Sequence, residues 1–304
     1  MKLRIGTRRS RLALAQAQEV ARRLDALGVE AELVPMVTSG DRGVPAGDSP
    51  AGVKGLFVAE IVRALQGGDV DLAVHSAKDL PSQDPDGIVV GAVPERADPF
   101  DLLVTRDGGL GPGSVVGTSS LRRRAQLLRA HPEIEIREVR GNVDTRLAKL
   151  DAGKVDGLVL AAAGLARLGI SPPHAVALPL EEMVPAPGQG ALAVQVREDD
   201  EGTIQIVERL DHPPSRAAFD AERSLVARVG GGCALPLGAY AEDREGGIRL
   251  LAVVVRPDGS DLVWAQAEAE TPDRVAHEVA GMLLEGGARE ILDQAIMEAR
   301  EAAG

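Results

Sequence analysis

Along the first half of the chain, the hydrophobic positions switch repeatedly between a period of two and a helical period. Residues 2–6 read as a strand, and 10–27 as a helix stopped by Gly28. A second strand covers 30–38. The stretch 39–55 is rich in Gly, Pro and Ser, and loops this long in compact domains are usually functional or disordered. A helix over 56–66 aligns Phe57, Ile61 and Leu65 and ends at Gly67, and 70–75 is an apolar strand of the buried type. The pattern then restarts. Strands are predicted at 113–117, 133–139 and 157–161. The helices between them align Leu121, Ala125 and Leu128, then Val143, Leu147 and Leu150. Strands spaced by helices imply parallel pairing and an α/β fold. Two similar α/β units follow, 1–95 and 98–187, with 190–210 returning to the first through a strand at 190–197.

The last third has a different pattern. Residues 248–256 and 261–268 flank Pro257-Asp258-Gly259-Ser260, a hairpin signal, and two helices follow at 272–284 and 288–302. The expectation is a small α+β domain over 212–304.

A length of 304 residues with 44% hydrophobic positions fits two or three domains with real cores. The net charge of −12 argues against a general nucleic-acid binder, and only 2% of residues are aromatic, which leaves little for base stacking. The single cysteine allows no intramolecular disulfide and fits a reducing compartment. The first ten residues carry no signal-type apolar run, and the longest apolar stretch, 157–166, is too short to span a bilayer. The chain is therefore expected in the cytoplasm. Five histidines (His75, His131, His174, His212 and His277) show no metal-ligand spacing, so no metal is expected. Only five of the 34 basic residues are lysines, so arginine number reflects composition and only arginine position carries information.

Those positions recur in a pattern. Arg4-Ile5-Gly6-Thr7-Arg8-Arg9-Ser10 and Val116-Gly117-Thr118-Ser119-Ser120-Leu121-Arg122-Arg123 each run from a strand through Gly-Thr and a hydroxyl residue into a helix start with arginines. A helix N-terminus offers unpaired N–H groups and partial positive charge, so such a turn suits a carboxylate or phosphate. Taken singly, each also reads as ordinary N-capping by serine. Arg140-Gly141-Asn142-Val143-Asp144-Thr145-Arg146 is a third strand end opening a helix. Arg146, Arg122 and Arg123 all sit in first turns, where a cation opposes the macrodipole unless an anion is bound. Arg167 follows the next strand. In open α/β sheets ligands bind beyond the carboxyl ends of strands, so these cations point to a ligand with several carboxylates or phosphates. No P-loop or GxGxxG fingerprint is present.

His75-Ser76-Ala77-Lys78-Asp79 ends the strand that begins at residue 70. Asp79 reads as an acid–base or cation-stabilising carboxylate, or as a turn residue before Leu80-Pro81. His75 reads as a hydrogen-bonded core residue. Cys233 follows Gly230-Gly231-Gly232. Free cysteines are usually buried and inert, but a glycine-rich turn makes this one an accessible nucleophile or attachment point.

Taken together, the segments RIGTRRSRLAL (4–14), VKGLFV (53–58), VHSAKDLP (74–81), GTSSLRR (117–123), RGNVDTR (140–146), AAGLARLG (162–169), PAPGQGA (185–191) and GGC (231–233) resemble the porphobilinogen deaminase (hydroxymethylbilane synthase) family over nearly the whole chain. The resemblance implies two periplasmic-binding-protein-like (type II) α/β domains with a cleft between them, plus a small C-terminal domain. It implies a covalent dipyrromethane cofactor on Cys233, one per chain. Four porphobilinogens are added in turn, each losing ammonia, and the linear polypyrrole is then hydrolysed off. It makes Asp79 the catalytic acid. Substrate and cofactor side chains fall to Arg8, Ser10, Lys54, Ser76, Lys78, Thr118, Ser119, Ser120, Arg122, Arg123, Arg140, Arg146, Arg167 and Gln189. It implies a monomer whose partners are porphobilinogen and the growing chain, with no nucleic acid and no membrane. Ala77 departs from the family's larger apolar residue, and Arg9 and Arg11 make the first turn unusually basic, able to replace Arg8 or compete with it. The alternative from another class is a polycarboxylate solute-binding module, which would leave Cys233 without use.

Overall fold

The computed structural model describes residues 2–38, 58–230 and 235–301, with side chains to 298. Lys54, Cys233 and the predicted loop 39–55 lie outside the described residues. The first unit is built from β1 (Lys2–Arg8), α1 (Arg11–Ala26), β2 (Glu30–Met36), α2 (Ala59–Gln66), β3 (Leu72–Ser76) and β4 (Ile88–Ala92). The second holds β5 (Asp101–Thr105), β6 (Val115–Gly117), α3 (Leu121–Ala130), β7 (Glu135–Arg137), α4 (Val143–Asp151), β8 (Gly157–Ala161), α5 (Ala162–Leu168) and β9 (Ala175–Ala177). The chain then returns through β10 (Leu192–Arg197) and α6 (Glu201–Val207). It ends in α7 (Pro213–Val229), β11 (Leu237–Arg244), β12 (Gly247–Val255), β13 (Leu262–Ala269), α8 (Pro272–Glu285) and α9 (Ala288–Glu301).

The two large sheets share one topology. The first runs β2-β1-β3-β10-β4 and the second β7-β6-β8-β5-β9. In each, three parallel strands adjoin one antiparallel strand, β10 or β5, which is the strand that follows a crossing between units. Both crossovers, 93–100 and 185–191, therefore lead straight into an internal strand next to the sheet edge. Apolar side chains cover both faces of the first sheet: Leu3, Ile5, Leu72 and Val194 belong to one core, Val70, Ala73, Ile88 and Ala193 to the other. The third sheet, β11-β12-β13, is antiparallel and packs one face on α7, α8 and α9. Val253 and Val255 on its other face meet Ala125 of α3 and Val184, so the third unit also touches the second.

α7 is absent from the sequence expectations, although two prolines in its first turn and Gly230 at φ 72° just past its end are start and stop signals. Its buried positions include Ser215, the small Ala218 and Ala221, and the charged Glu222, so the hydrophobic period is blurred. Among the described residues no helix is long and apolar enough to cross a membrane, and no group of three or more His, Cys, Asp or Glu is placed to hold a metal ion.

Candidate functional site

The parallel strands of both sheets end on the residues singled out by the sequence. β1 ends at Arg8, β3 at Ser76, β6 at Gly117 just before Thr118, and β8 at Ala161, from which α5 carries Arg167. β7 ends three residues before Arg140, and α4 places Arg146 in its first turn. The Ala77–Asp79 segment is a single 3-10 turn with Ala77 buried in it. This small residue is packed tightly. Gly188, at φ +73°, lies so close that a β-carbon there would stand 2.9 Å from the Lys78 nitrogen. The left-handed backbone and the close approach both require glycine at 188.

The hydroxyl residues divide. Ser10 and Ser120 cap α1 and α3, accepting the N–H groups of Ala13 and Arg123. Ordinary N-capping is thus what both hydroxyls do here, at about 1 kcal/mol each. Thr118 is buried and its hydroxyl accepts the Ser120 N–H, while Ser119 is exposed. Ser76 accepts a 2.7 Å hydrogen bond from the Gln16 amide.

The first-turn arginines of α3 are buried, at 4% and 6% exposure. The anion they called for in the sequence is supplied by the chain itself. Arg123 donates through Nε (3.1 Å) and Nη2 (2.7 Å) to Asp101 Oδ1, and Arg122 Nη2 lies 2.8 Å from Asp101 Oδ2. The Val184 and Val159 carbonyls take the Nη1 groups of Arg122 and Arg123. Gln189 donates to the same Asp101 oxygen at 3.0 Å and accepts from Lys78 Nζ at 3.3 Å. Burial alone would raise the Asp101 pKa, but the charges of Arg122, Arg123 and Lys78 more than offset it and hold the carboxyl well below the ordinary range. The structure therefore joins Lys78, Gln189 and Arg123 by hydrogen bonds through Asp101, with Arg122 in ion contact with the same carboxylate and Asp79 next in the chain to Lys78. Sequence reasoning missed Asp101; its only signal is an acid opening the apolar run Leu102-Leu103-Val104.

The remaining cations behave differently from one another. Arg146 is half-buried, donates to the Gly141 carbonyl at 2.9 Å, and has no carboxylate partner among the described residues. Burial and the neighbouring Arg123 both push its pKa down, which is the environment of a cation lacking an anion. Arg140 is exposed and pairs with Glu138 at 2.6 Å, outside the Asp101 path. Arg167 is held by Glu19 of α1 at 2.9 Å and by the Gly190 carbonyl at 3.0 Å. Arg11, expected to replace or compete with Arg8, instead pairs with Asp144 of the second unit at 2.8 Å. His75 is buried as expected, but its Nε2 makes no hydrogen bond. That corrects the expectation of a hydrogen-bonded core histidine at this nitrogen: burial disfavours the charged ring and pushes its pKa down to about 4, with Asp79 and Asp84 opposing the shift and Arg8 adding to it.

Residues 3–205 match the family described as porphobilinogen deaminase, dipyromethane cofactor binding domain, and residues 217–285 match porphobilinogen deaminase, C-terminal domain. The chain is 44% identical to the porphobilinogen deaminase of Brevibacillus brevis over 98% of both chains. It is 45% identical to that of Geobacillus kaustophilus (95% of this chain, 96% of the other) and 46% identical to that of Rubrobacter xylanophilus (96% of each). Among solved structures it overlays a periplasmic substrate-binding protein of an ABC transporter from Coxiella burnetii with a TM-score of 0.41 at 18% identity, covering 70% of this chain and 93% of that one. On the full-length matches in sequence, the chain belongs to the porphobilinogen deaminase family.

Proposed function

We propose that this chain joins four porphobilinogens head to tail, losing ammonia at each addition, on a dipyrromethane held by Cys233, and then releases the linear tetrapyrrole by hydrolysis. One observation carries the reading at the level of the site. The path Lys78–Gln189–Asp101–Arg123 sets the turn that bears Asp79 against the cationic start of α3.

The donor set fits the cofactor. Every porphobilinogen unit carries an acetate and a propionate, and the strand ends of both sheets carry cations. Arg146, half-buried without a carboxylate partner among the described residues, is the clearest place for a ligand carboxylate. Arg8, Lys54, Arg140 and Arg167 extend that set, with Arg guanidinium forks able to take carboxylates in bidentate fashion. Arg122 and Arg123 contribute mainly field, because their donors are largely taken by Asp101 and backbone carbonyls. When bound, the dipyrromethane supplies the pyrrole carbon to which the next ring is joined. Asp79 then has two tasks. Its carboxyl gives a proton to the departing amine, and the resulting carboxylate faces the positive charge left on the electron-poor pyrrole. Lys78, Ser76 and Ser10 orient substrate beside it; of Thr118, Ser119 and Ser120, the exposed Ser119 is the one left to meet its carboxylates, since the N–H groups of the other two are taken within the chain.

The same reading divides the chain into 1–95 with 190–210, 98–187, and 212–304, a division supported by a separate sheet in each part. It takes the protein as a cytoplasmic monomer without nucleic-acid or membrane partners, which the charge of −12 and the scarcity of aromatics support. The test is single-turnover ammonia release from cofactor-loaded chain. Asp79→Asn should fold and carry the cofactor but release ammonia at least ~100-fold more slowly, the ordinary worth of a general acid. Equal rates would return Asp79 to the role of a turn residue before Pro81.

A further inference from the structure

We propose that Asp101 is a positioning residue for the condensation: it fixes the directions of Arg122 and Arg123 and, through Gln189, of Lys78, and so aligns the cationic helix start with the turn that carries Asp79. This inference rests on the function proposed above.

Asp101 is completely buried at the first position of β5, immediately after the crossover from the first unit. Its Oδ1 accepts three donors, from Arg123 Nε, Arg123 Nη2 and Gln189 Nε2, and Oδ2 faces Arg122 Nη2. Oδ2 is in ion contact with Arg122 but makes no hydrogen bond, and with no exposed surface the carboxylate has no open face for a ligand. It must act through the groups it holds.

Those groups come from three places in the chain. Arg122 and Arg123 open α3 of the second unit, Gln189 lies on the return crossover, and Lys78 lies in the 3-10 turn after β3 of the first unit. Gln189 is itself fixed by a second donation, to the Pro99 carbonyl at 2.7 Å, so the two crossovers are joined at this point. The carboxamide can therefore transmit the position of Asp101 to Lys78 with little play. Two guanidiniums and one ammonium face a single carboxylate. The cluster keeps a positive excess, which suits a site for anions, while Asp101 prevents the two guanidiniums from repelling each other out of alignment.

Two consequences separate positioning from a purely structural role. First, a variant lacking the carboxylate keeps the cations and so keeps its attraction for an anionic substrate, while losing alignment. The loss should fall on kcat rather than KM. Second, Asp101 and Gln189 act on Lys78 in series, so their effects should not multiply.

The experiment uses full-length chain, with turnover divided by the fraction of chains that intact mass shows to carry the covalent adduct. Asp101→Asn should lower kcat per loaded chain by at least ~10-fold, with KM for porphobilinogen changed by less than ~3-fold. Asp101→Glu, which keeps the charge, should recover part of the loss. Gln189→Met should lower kcat too, and the double variant should be no worse than Asp101→Asn alone. As a readout independent of turnover, the Arg123 Nε–H resonance should be protected from exchange in the wild type and lose that protection in Asp101→Asn. If Asp101→Asn does not fold, Asp101→Glu with and without Gln189→Met carries the same comparison. An unchanged kcat per loaded chain, or multiplicative losses in the double variant, would overturn the inference. A wild-type chain that neither carries an adduct nor turns over porphobilinogen would instead overturn the function on which it rests.

Discussion

Glu222 of α7 offers the sharpest test of how the three units are joined. Its side chain is fully buried. Arg96, on the first crossover, grips both carboxylate oxygens at 2.8 and 3.2 Å, and the backbone N–H groups of Gly188, on the second crossover, and Ala241, in β11, donate to the same carboxylate. Glu222→Gln changes almost no volume. A carboxamide keeps one acceptor oxygen, so its NH2 must face either the Gly188 or the Ala241 N–H and one arm of Arg96. A buried N–H left without an acceptor costs about 1–3 kcal/mol. Breaking a buried ion pair from one side costs about 3–5 kcal/mol. The two terms describe overlapping losses, so we expect about 3–5 kcal/mol in total rather than their sum. At about 2–4 °C per kcal/mol for a chain of this size, the melting temperature should fall on the order of 10 °C. Calorimetry of wild type and variant, matched for adduct load by mass because a bound group raises stability, measures this directly. Arg96→Met in the variant background should recover part of the loss, since no buried charge is then left unpaired. A fall of less than about 2 °C would show that water or a shifted neighbour replaces the carboxylate, and would refute the reasoning.

Two further outcomes follow from the neighbourhood of Asp79. His75 has its pKa pushed down to about 4 by burial, with Asp79 and Asp84 opposing that shift and Arg8 adding to it. Below its ordinary value near 6.5 the unfolded chain takes up a proton that the folded chain refuses, so stability should be flat above 6.5, fall as pH drops, and level off below about 4. The full span is about 3 kcal/mol. Urea unfolding of wild type and His75→Asn at about pH 7.5 and about pH 4 should show the wild type losing more by roughly that amount, and equal losses would exclude His75 as the source. Gly188→Ala would place a β-carbon 2.9 Å from the Lys78 nitrogen at a positive φ, so the 3-10 turn must shift. Ammonia release should fall by more than ~10-fold per loaded chain, as for any misplacement of a reacting group by about 1 Å, and an unchanged rate would mean that the turn's position is not critical.

The legible part of this molecule was its local order. Strand, Gly-Thr, hydroxyl and helix start follow one another within ten residues, so β1, β6 and the starts of α1 and α3 could be read directly, as could the hairpin of β12 and β13. What escaped was written at long range. Arg123 and Asp101 are 22 residues apart, Arg96 and Glu222 are 126 apart, and Arg167 and Glu19 are 148 apart. Nothing in the spacing of a sequence announces such pairs. Arginines in first helical turns signalled the need for an anion, but not that for Arg122 and Arg123 the chain itself supplies one, in Asp101. α7 and β5 were missed for the same reason, since each buries an acid in an otherwise apolar stripe to bind an arginine from elsewhere.

On the proposed function, Cys233 holds a pyrrole chain that this site extends. Intact-mass measurement of the purified wild type and of Cys233→Ser, each before and after incubation with porphobilinogen, tests it most directly. The account predicts a wild-type mass above that of the bare chain by two porphobilinogens less two ammonia, rising by further rings on brief exposure to substrate, and a Cys233→Ser protein at the bare mass throughout. A wild type that stays at the bare mass after incubation, or a Cys233→Ser protein that still carries rings, would contradict it.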